Sequence, residues 1–298
     1  MSSGTMRAVR LKASGGPESL DLDQVAIPEP QAGEALVRVH AAGLTRDELE
    51  WPLDRLPAIP SYELSGVVES VGPGADGLSE GDEVFALTAF DRDGAAAEYA
   101  LVPVAMLAPK PATLSHVEAA ALPMPGLTAW QSLFDHGALE AGQRVLIHGA
   151  TGGVGQAATQ LARWRGAHVI GTVTGAEDVA WARELGADEV VDHATTRFED
   201  VIDPVDLVFD TVGGDRLARS RSVLRPGGRL VSVAEEGNDA DYFVVEHDGG
   251  QLSRIAELAA RGELAVAIDS VVPFARFREA FERVAARGKR GKVVLEVH

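Results

Sequence analysis

Apolar and polar residues change rhythm along this chain. From Met6 to about Pro123 the period is two. In Glu34-Ala35-Leu36-Val37-Arg38-Val39-His40-Ala41, the residues Ala35, Val37, Val39 and Ala41 share one face, the alternation of a half-buried strand. Gly66-Val67-Val68-Glu69-Ser70-Val71-Gly72 and Asp82-Glu83-Val84-Phe85-Ala86-Leu87 read as short strands between Gly, Pro and Asp turns. Strands with no helices between them predict a compact, barrel-like β domain. Ser115-His116-Val117-Glu118 forms a capping box that opens a helix across the alanine run to Leu122. Pro123-Met124-Pro125-Gly126 is expected to break the chain, and 127–136 reads as another helix. From about Gln143 to Arg261, short apolar runs alternate with amphipathic stretches. Strands are predicted over 145–148, 168–173, 189–192, 207–210, 229–233 and 242–246, with helices over 154–165, 177–185, 217–224 and 250–261. That alternation implies a doubly wound parallel sheet. The tail adds a helix near 274–286 and a last strand over 292–297.

One junction in this second pattern carries chemistry. The strand residues Val145-Leu146-Ile147-His148 run into Gly149-Ala150-Thr151-Gly152-Gly153-Val154-Gly155, and a helical face with Val154, Ala158 and Leu161 follows at once. A strand, a glycine turn and a helix N-terminus in this order cradle a pyrophosphate, because the helix offers free N–H groups and the positive end of its dipole. The pattern is Ala150-x-Gly152-x-x-Gly155, with alanine in the first glycine place. The alternative is a purely structural turn.

Composition narrows the class. The chain has 298 residues, 46% of them apolar, which predicts two domains. It has no stretch of about 20 uninterrupted apolar residues, so no membrane span is expected. Met1-Ser2-Ser3-Gly4-Thr5-Met6 lacks the basic start and apolar stretch of a secretion signal, and a cytoplasmic setting is expected. Cysteine is absent, which excludes disulfides, thiolate catalysis and cysteine-based zinc sites. The net charge of −18 argues against nucleic acid and anionic membranes as partners. A dinucleotide is also an anion, so its site must rely on backbone dipoles and a few basic side chains.

An ordered set of motifs spans nearly the whole chain. It comprises Ala41-Ala42-Gly43-Leu44-Thr45-Arg46-Asp47, Ser65-Gly66-Val67-Val68, Gly81-Asp82-Glu83-Val84, Ala97-Glu98-Tyr99, Leu127-Thr128-Ala129-Trp130 and the glycine loop. Leu185-Gly186-Ala187-Asp188, Asp210-Thr211-Val212-Gly213-Gly214, Arg225-Pro226-Gly227-Gly228 and Arg290-Gly291-Lys292-Val293-Val294 complete it. In these motifs the chain resembles the medium-chain dehydrogenase/reductases, specifically the zinc-free, quinone oxidoreductase-like branch. The resemblance implies an α/β protein: a GroES-like, β-rich catalytic domain (1–123 and 262–298), with a doubly wound Rossmann domain (124–261) inserted in it and the active site in the cleft. It also implies hydride transfer from NADPH, with NADH possible, to a quinone, enone or similar activated double bond, and a homodimer formed through the 242–246 edge.

The resemblance further assigns candidate residues. Thr128, Gly152, Gly153, Val154, Thr174, Gly175, His193, Val212, Gly213, Val233, Phe243 and Lys292 are expected at the cofactor. Tyr62 and Thr45 are the candidate catalytic hydroxyls, and Trp51 and Phe90 are candidates for an apolar wall at the substrate. Local packing is the alternative role for Tyr62, Trp51 and Phe90. Zinc-dependent relatives carry Gly-His-Glu where this chain has Ser61-Tyr62-Glu63, and His40, His116, His136 and His148 lack ligand-like spacing, so no metal is expected. Thr45 replaces a usual asparagine, Ala96 replaces a tyrosine, and the 51–60 loop and 235–241 segment are short. The second Rossmann strand ends Thr172-Val173-Thr174-Gly175 without a carboxylate, which favours NADPH. A usual lysine near Asp178 is missing, and His193 can replace its charge only as pH falls. Glu177 and Asp178 also suit a helix N-terminus. Two other functions stay open: a specialised-metabolism enzyme with a larger substrate, and a non-catalytic nucleotide-binding relative.

Overall fold

The computed structural model describes residues 4–286 and 289–298 and divides into two packed units. Residues 1–3, at the segment where a secretion signal was judged absent, lie outside the described residues. Among the described residues no helix is long and apolar enough to cross a membrane.

The first unit comprises Met1–Met124, His247–Arg261 and Val266–His298. Its main sheet has seven strands. Six form a path in the order Ile268–Pro273, Lys292–Glu296, Glu34–Leu44, Glu63–Val71, Glu83–Leu87 and Leu107–Pro109; Tyr99–Pro103 also pairs with Glu34–Leu44. A separate antiparallel hairpin pairs Thr5–Leu11 with Leu20–Ala26. The strand Glu34–Leu44 is the hub, because its alternating Ala35, Val37 and Val39 side chains bury against Leu64, Val68, Val84 and the tail residues Phe281, Val293 and Leu295. The tail strand lies antiparallel on it, with Val293 opposite Leu44 and Glu296 opposite Ala41. The expected capping box is present: Ser115 Oγ accepts the Glu118 N–H, and Glu118 accepts the Ser115 N–H in return.

The second unit comprises Pro125–Glu246 and Gly262–Ala265. Its six-stranded sheet runs in the order Glu189–Asp192, His168–Val173, Arg144–His148, Val205–Asp210, Leu224–Ser232 and Asp241–Tyr242, and every pairing is parallel. Numbered within the unit this is 3-2-1-4-5-6, the doubly wound order, and its switch point falls beside Arg144–His148.

Four expectations change. Pro123 to Gly126 do not break the chain but open the helix Pro123–Trp130, which continues as a wider π-type run, Gln131–His136. Prolines at the first and third helical positions cost little, since the N–H groups there have no intrahelical acceptor. The helix expected over 217–224 is Gly214–Ser220, and Leu224 already begins a strand. The edge strand expected over 242–246 is only Asp241–Tyr242. The Gln131 side chain takes both ladder groups of Glu246, donating to its carbonyl at 3.0 Å and accepting its N–H at 2.9 Å. Finally, the helix Gly249–Ala260 groups with the first unit and not with the Rossmann unit. A Cβ on Gly249 would stand 2.6 Å from the carbonyl oxygens of Ala105 and Leu107, so only glycine lets the helix seat there.

His148 closes the end of the central Rossmann strand. It is wholly buried, with Nδ1 3.1 Å from Thr172 Oγ1 and Nε2 3.0 Å from Ser220 Oγ. Burial pushes its pKa down to about 3, with Arg216 and Arg219 adding to the fall. The folded protein therefore holds His148 neutral, whereas the unfolded chain protonates it below the ordinary value of 6.5. Stability from this residue is complete above that value and is lost as pH falls towards the folded pKa. Urea melts should lose on the order of 3 kcal/mol through His148 between pH 7 and 4. His148→Asn should flatten that slope; an unchanged slope would contradict the assignment.

Candidate functional site

In the second unit the expected cradle is built from backbone. Gly149 has φ +73°, and a Cβ there would meet Thr211 Oγ1 and Val212 Cγ2 within 2.9 Å. A Cβ on Gly155 would stand 2.0 Å from the Gly149 carbonyl oxygen, so the turn closes only on glycine. Gly152 is the N-cap of the helix Gly153–Arg165, which has no side-chain cap and no acid in its first turn, while Arg163 and Arg165 complement its last turn. Its first N–H groups are left for an anion, as a pyrophosphate cradle requires.

The neighbouring loop is shaped by Asp210, which is wholly buried. Its carboxylate accepts the Gly213 N–H at 2.9 Å, the Val212 N–H at 3.3 Å and the Ser232 hydroxyl at 3.0 Å. Burial raises its pKa against those bonds. Val212 is exposed at the tip, and Val233 is tied back by its N–H to the Asp210 carbonyl at 3.1 Å. Thr128 is buried in the helix Pro123–Trp130. Phe243 stacks on His136 at 3.9 Å.

On the side of the second strand, Thr174 Oγ1 and His193 Nε2 are 2.7 Å apart. The N–H of Gly175, a residue expected at the cofactor, is committed to Asp192 Oδ1 at 3.1 Å. Two backbone N–H bonds hold the Asp192 pKa below the usual carboxylate range, so a negative charge stands where the sequence placed a donor. Burial, then Arg216, lowers the His193 pKa. Glu177 and Asp178 lie in the first turn of the helix Ala176–Leu185, where acids complement the dipole.

The first unit gathers the other candidates. Tyr62 is 1% exposed, and its hydroxyl accepts from Arg55 Nη2 at 2.8 Å; the same nitrogen donates to the Phe90 carbonyl at 2.8 Å. Trp51 stacks on Tyr62 with ring centres 5.6 Å apart, and Phe90 meets both rings edge-on at 5.2 and 5.4 Å. Burial pushes the Tyr62 phenol up to about 12. Ala96 lies in a bend, bonded through its backbone to Val9 and Pro60, and is wholly buried.

The first unit also holds a buried charged group. Glu63 Oε2 accepts from Lys292 Nζ and, at 3.2 Å, from the Thr45 hydroxyl, while Lys292 Nζ donates to Thr45 Oγ1 at 3.0 Å. Glu63 Oε1 accepts the Met124 N–H at 2.9 Å, and Glu48 Oε2 accepts the Thr45 N–H at 3.1 Å. Lys292, expected at the cofactor, is therefore committed within this network. Among the described residues no group of three or more His, Asp or Glu side chains could hold a metal ion.

The comparisons with known proteins agree with this architecture. A family model described as the alcohol dehydrogenase GroES-like domain matches residues 31–112, and one described as zinc-binding dehydrogenase matches residues 185–295. The chain is 32% identical over 322 residues to the quinone oxidoreductase of Rattus norvegicus, with 97% of each chain covered. The chain belongs to the medium-chain dehydrogenase/reductase family. Within this family it sits in the quinone oxidoreductase-like branch. It is 30% identical to the NADPH-dependent alkenal/one oxidoreductase, chloroplastic, of Arabidopsis thaliana, over 94% of this chain and 77% of that protein. The solved quinone oxidoreductase from Coxiella burnetii matches with a TM-score of 0.91 at 28% identity, covering 99% of this chain and all of that one.

Arg55, Glu48 and Asp192 were not singled out from the sequence of this medium-chain dehydrogenase/reductase. A signal existed only for Glu48, since Thr45-Arg46-Asp47-Glu48 fits the Ser/Thr-x-x-Asp/Glu pattern that predicts a local carboxylate-to-backbone bond. Removing Lys292 leaves Glu63 as a buried, unpaired carboxylate, so Lys292→Met should cost about 3–5 kcal/mol in denaturant melts. Adding Glu63→Gln should recover most of that loss. A double variant no more stable than Lys292→Met would contradict the pairing.

Proposed function

We propose that this protein is a metal-free reductase that transfers hydride from NADPH to a quinone, enone or similar activated double bond. The observation that carries the reading is the Trp51–Tyr62–Phe90 cluster, with the Tyr62 hydroxyl fixed by Arg55. Aromatic rings in face and edge contact suit a flat conjugated substrate. The fit of a dinucleotide is supported by the bare helix N-terminus at Gly152 and Gly153 and by the loop that only Gly155 permits. The names of the rat and Arabidopsis relatives point to the same substrate classes and, for the latter, to NADPH.

When bound, the nicotinamide supplies the hydride. Gly152, Gly153 and Val154 would hold the pyrophosphate by their backbone, with Val212, Gly213 and Val233 beside it. Orientation accounts for most of the protein's contribution. Arg55 donates to the Tyr62 oxygen and leaves its O–H free to donate in turn. With its pKa near 12 the phenol remains protonated at every working pH, so it acts first as a hydrogen-bond donor to the oxygen that gains charge. The Thr45 hydroxyl, which donates to Glu63 and accepts from Lys292, would offer the substrate its oxygen and not a second donor. No metal is required: cysteine is absent, and Tyr62 stands where zinc-dependent relatives carry a histidine.

Coenzyme choice rests on Thr174 and His193, which face a phosphate better than a diol, against the opposing charges of Asp192 and Asp178. The proposed preference is NADPH, with NADH also accepted. We also propose a homodimer, supported by the open sheet edge at Asp241–Tyr242, where Tyr242 and Val244 are exposed.

Mixing the protein with NADPH and naphthoquinone or a small enone should bleach the nicotinamide absorbance. Tight nucleotide binding without turnover would sink the reductase reading and favour a non-catalytic relative. Asp178→Lys should raise the NADPH-over-NADH affinity ratio about fivefold, the ~1 kcal/mol of one exposed charge pair. A ratio that stays level would remove this loop from coenzyme selection.

A further inference from the structure

Two carboxyl groups and one ammonium are buried around Thr45. Glu48 and Glu63 are each 1% exposed and Lys292 is 5% exposed. Glu63 is fully used, by Met124 N–H at one oxygen and by Lys292 and Thr45 at the other. Glu48 is not. Its Oε2 accepts the Thr45 N–H, but its Oε1 is buried with no partner among the described residues.

An ionised Glu48 would be a second buried anion beside a single cation, with one oxygen that no donor reaches. Both features are costly. A neutral carboxyl removes both. The Thr45 N–H needs a lone pair on Oε2, so the proton belongs on Oε1, the oxygen without a donor. Burial, the largest influence, pushes Glu48 up to about 8; Glu63 adds to the rise, while the Thr45 N–H and the Lys292 charge oppose it. Tyr62 is the other titratable neighbour, and its own pKa is raised in part by Glu48.

We propose that Glu48 is a positioning acid: held neutral, it fixes Thr45 through one oxygen without competing for Lys292, and its ionisation misaligns the Thr45 hydroxyl. The neutral form leaves Lys292 donating to Glu63 and Thr45 together. An ionised Glu48 draws the one ammonium between two carboxylates, and Thr45 loses the donor that orients its oxygen. No covalent or redox step passes through Glu48; its proton exchanges with solvent. The catalytic consequence rests on the reductase reading, but the protonation state does not.

Two measurements on the full-length protein separate these parts. Difference infrared spectra should show a protonated-carboxyl band at neutral pH that disappears as pH passes about 8 and is missing in Glu48→Gln. Absence of that band in the wild type overturns the proposal, whatever the protein turns over. In the turnover assay, kcat should fall about tenfold per pH unit above that point, as one controlling ionisation dictates, with the coenzyme KM unmoved. Glu48→Asp should keep the alkaline limb and Glu48→Gln should lack it. A limb that persists in Glu48→Gln overturns the positioning role. If Glu48→Gln does not fold, the wild-type band and the Glu48→Asp profile still decide the matter.

Discussion

The buried pair between Glu63 and Lys292 is the constraint on which the first unit depends. A carboxylate and an ammonium out of water are tolerated only when both are present and their remaining valences are filled. Here 229 positions separate the partners, so the pair forms only when the tail strand has docked beside Glu34–Leu44. Hydrophobic strands can slip in register, but a slip by one residue would turn Lys292 to the other face. The ion pair therefore acts as a register pin for Lys292–Glu296, and through Met124 N–H it also fixes the chain where the first unit ends. The same two side chains hold the Thr45 hydroxyl, so one arrangement both closes the fold and sets a candidate catalytic group.

What was legible in the sequence is what the backbone alone determines. The strands at 168–173 and 189–192 were placed to the residue, because short apolar runs between glycine turns leave little freedom. The glycine turn was legible for the same reason: Gly149 and Gly155 occupy places where a Cβ would strike backbone or a neighbouring loop. Failures came where a side chain far away in sequence took over. The expected 242–246 strand stops because Gln131 occupies both backbone groups of Glu246. The Gly175 N–H is lost to the Asp192 carboxylate from the next strand. Neither exchange has a periodicity, so no pattern announces it.

The candidate site of the first unit was half legible for a related reason. Tyr62 and Thr45 follow from family positions, Trp51 and Phe90 only from their aromatic character, and the structure brings Trp51, Tyr62 and Phe90 into ring contact. Arg55 lies in a short turn-rich loop whose spacing says nothing about Tyr62, yet its guanidinium fixes the phenol. Ala96, which replaces a tyrosine, is wholly buried in a bend with both backbone groups in use.

The net charge of −18 posed a difficulty for binding an anionic dinucleotide. Under the proposed function, the placement of charge at two helix starts with the same intrinsic polarity answers it. The helix Ala176–Leu185 has Glu177 and Asp178 in its first turn, which offset its positive end, so a phosphate there would depend on Thr174 and His193 and not on the helix dipole. The helix Gly153–Arg165 keeps its first turn free of acids and places its arginines at the far end. A pyrophosphate proposed at this point would be drawn by fixed backbone dipoles, with more distant charge screened over about 10 Å at ordinary ionic strength. Acids on the surface beyond that range would leave the proposed cradle little affected. Distant surface charge should therefore matter little, and a carboxylate placed in the first helical turn after Gly152 should weaken pyrophosphate binding.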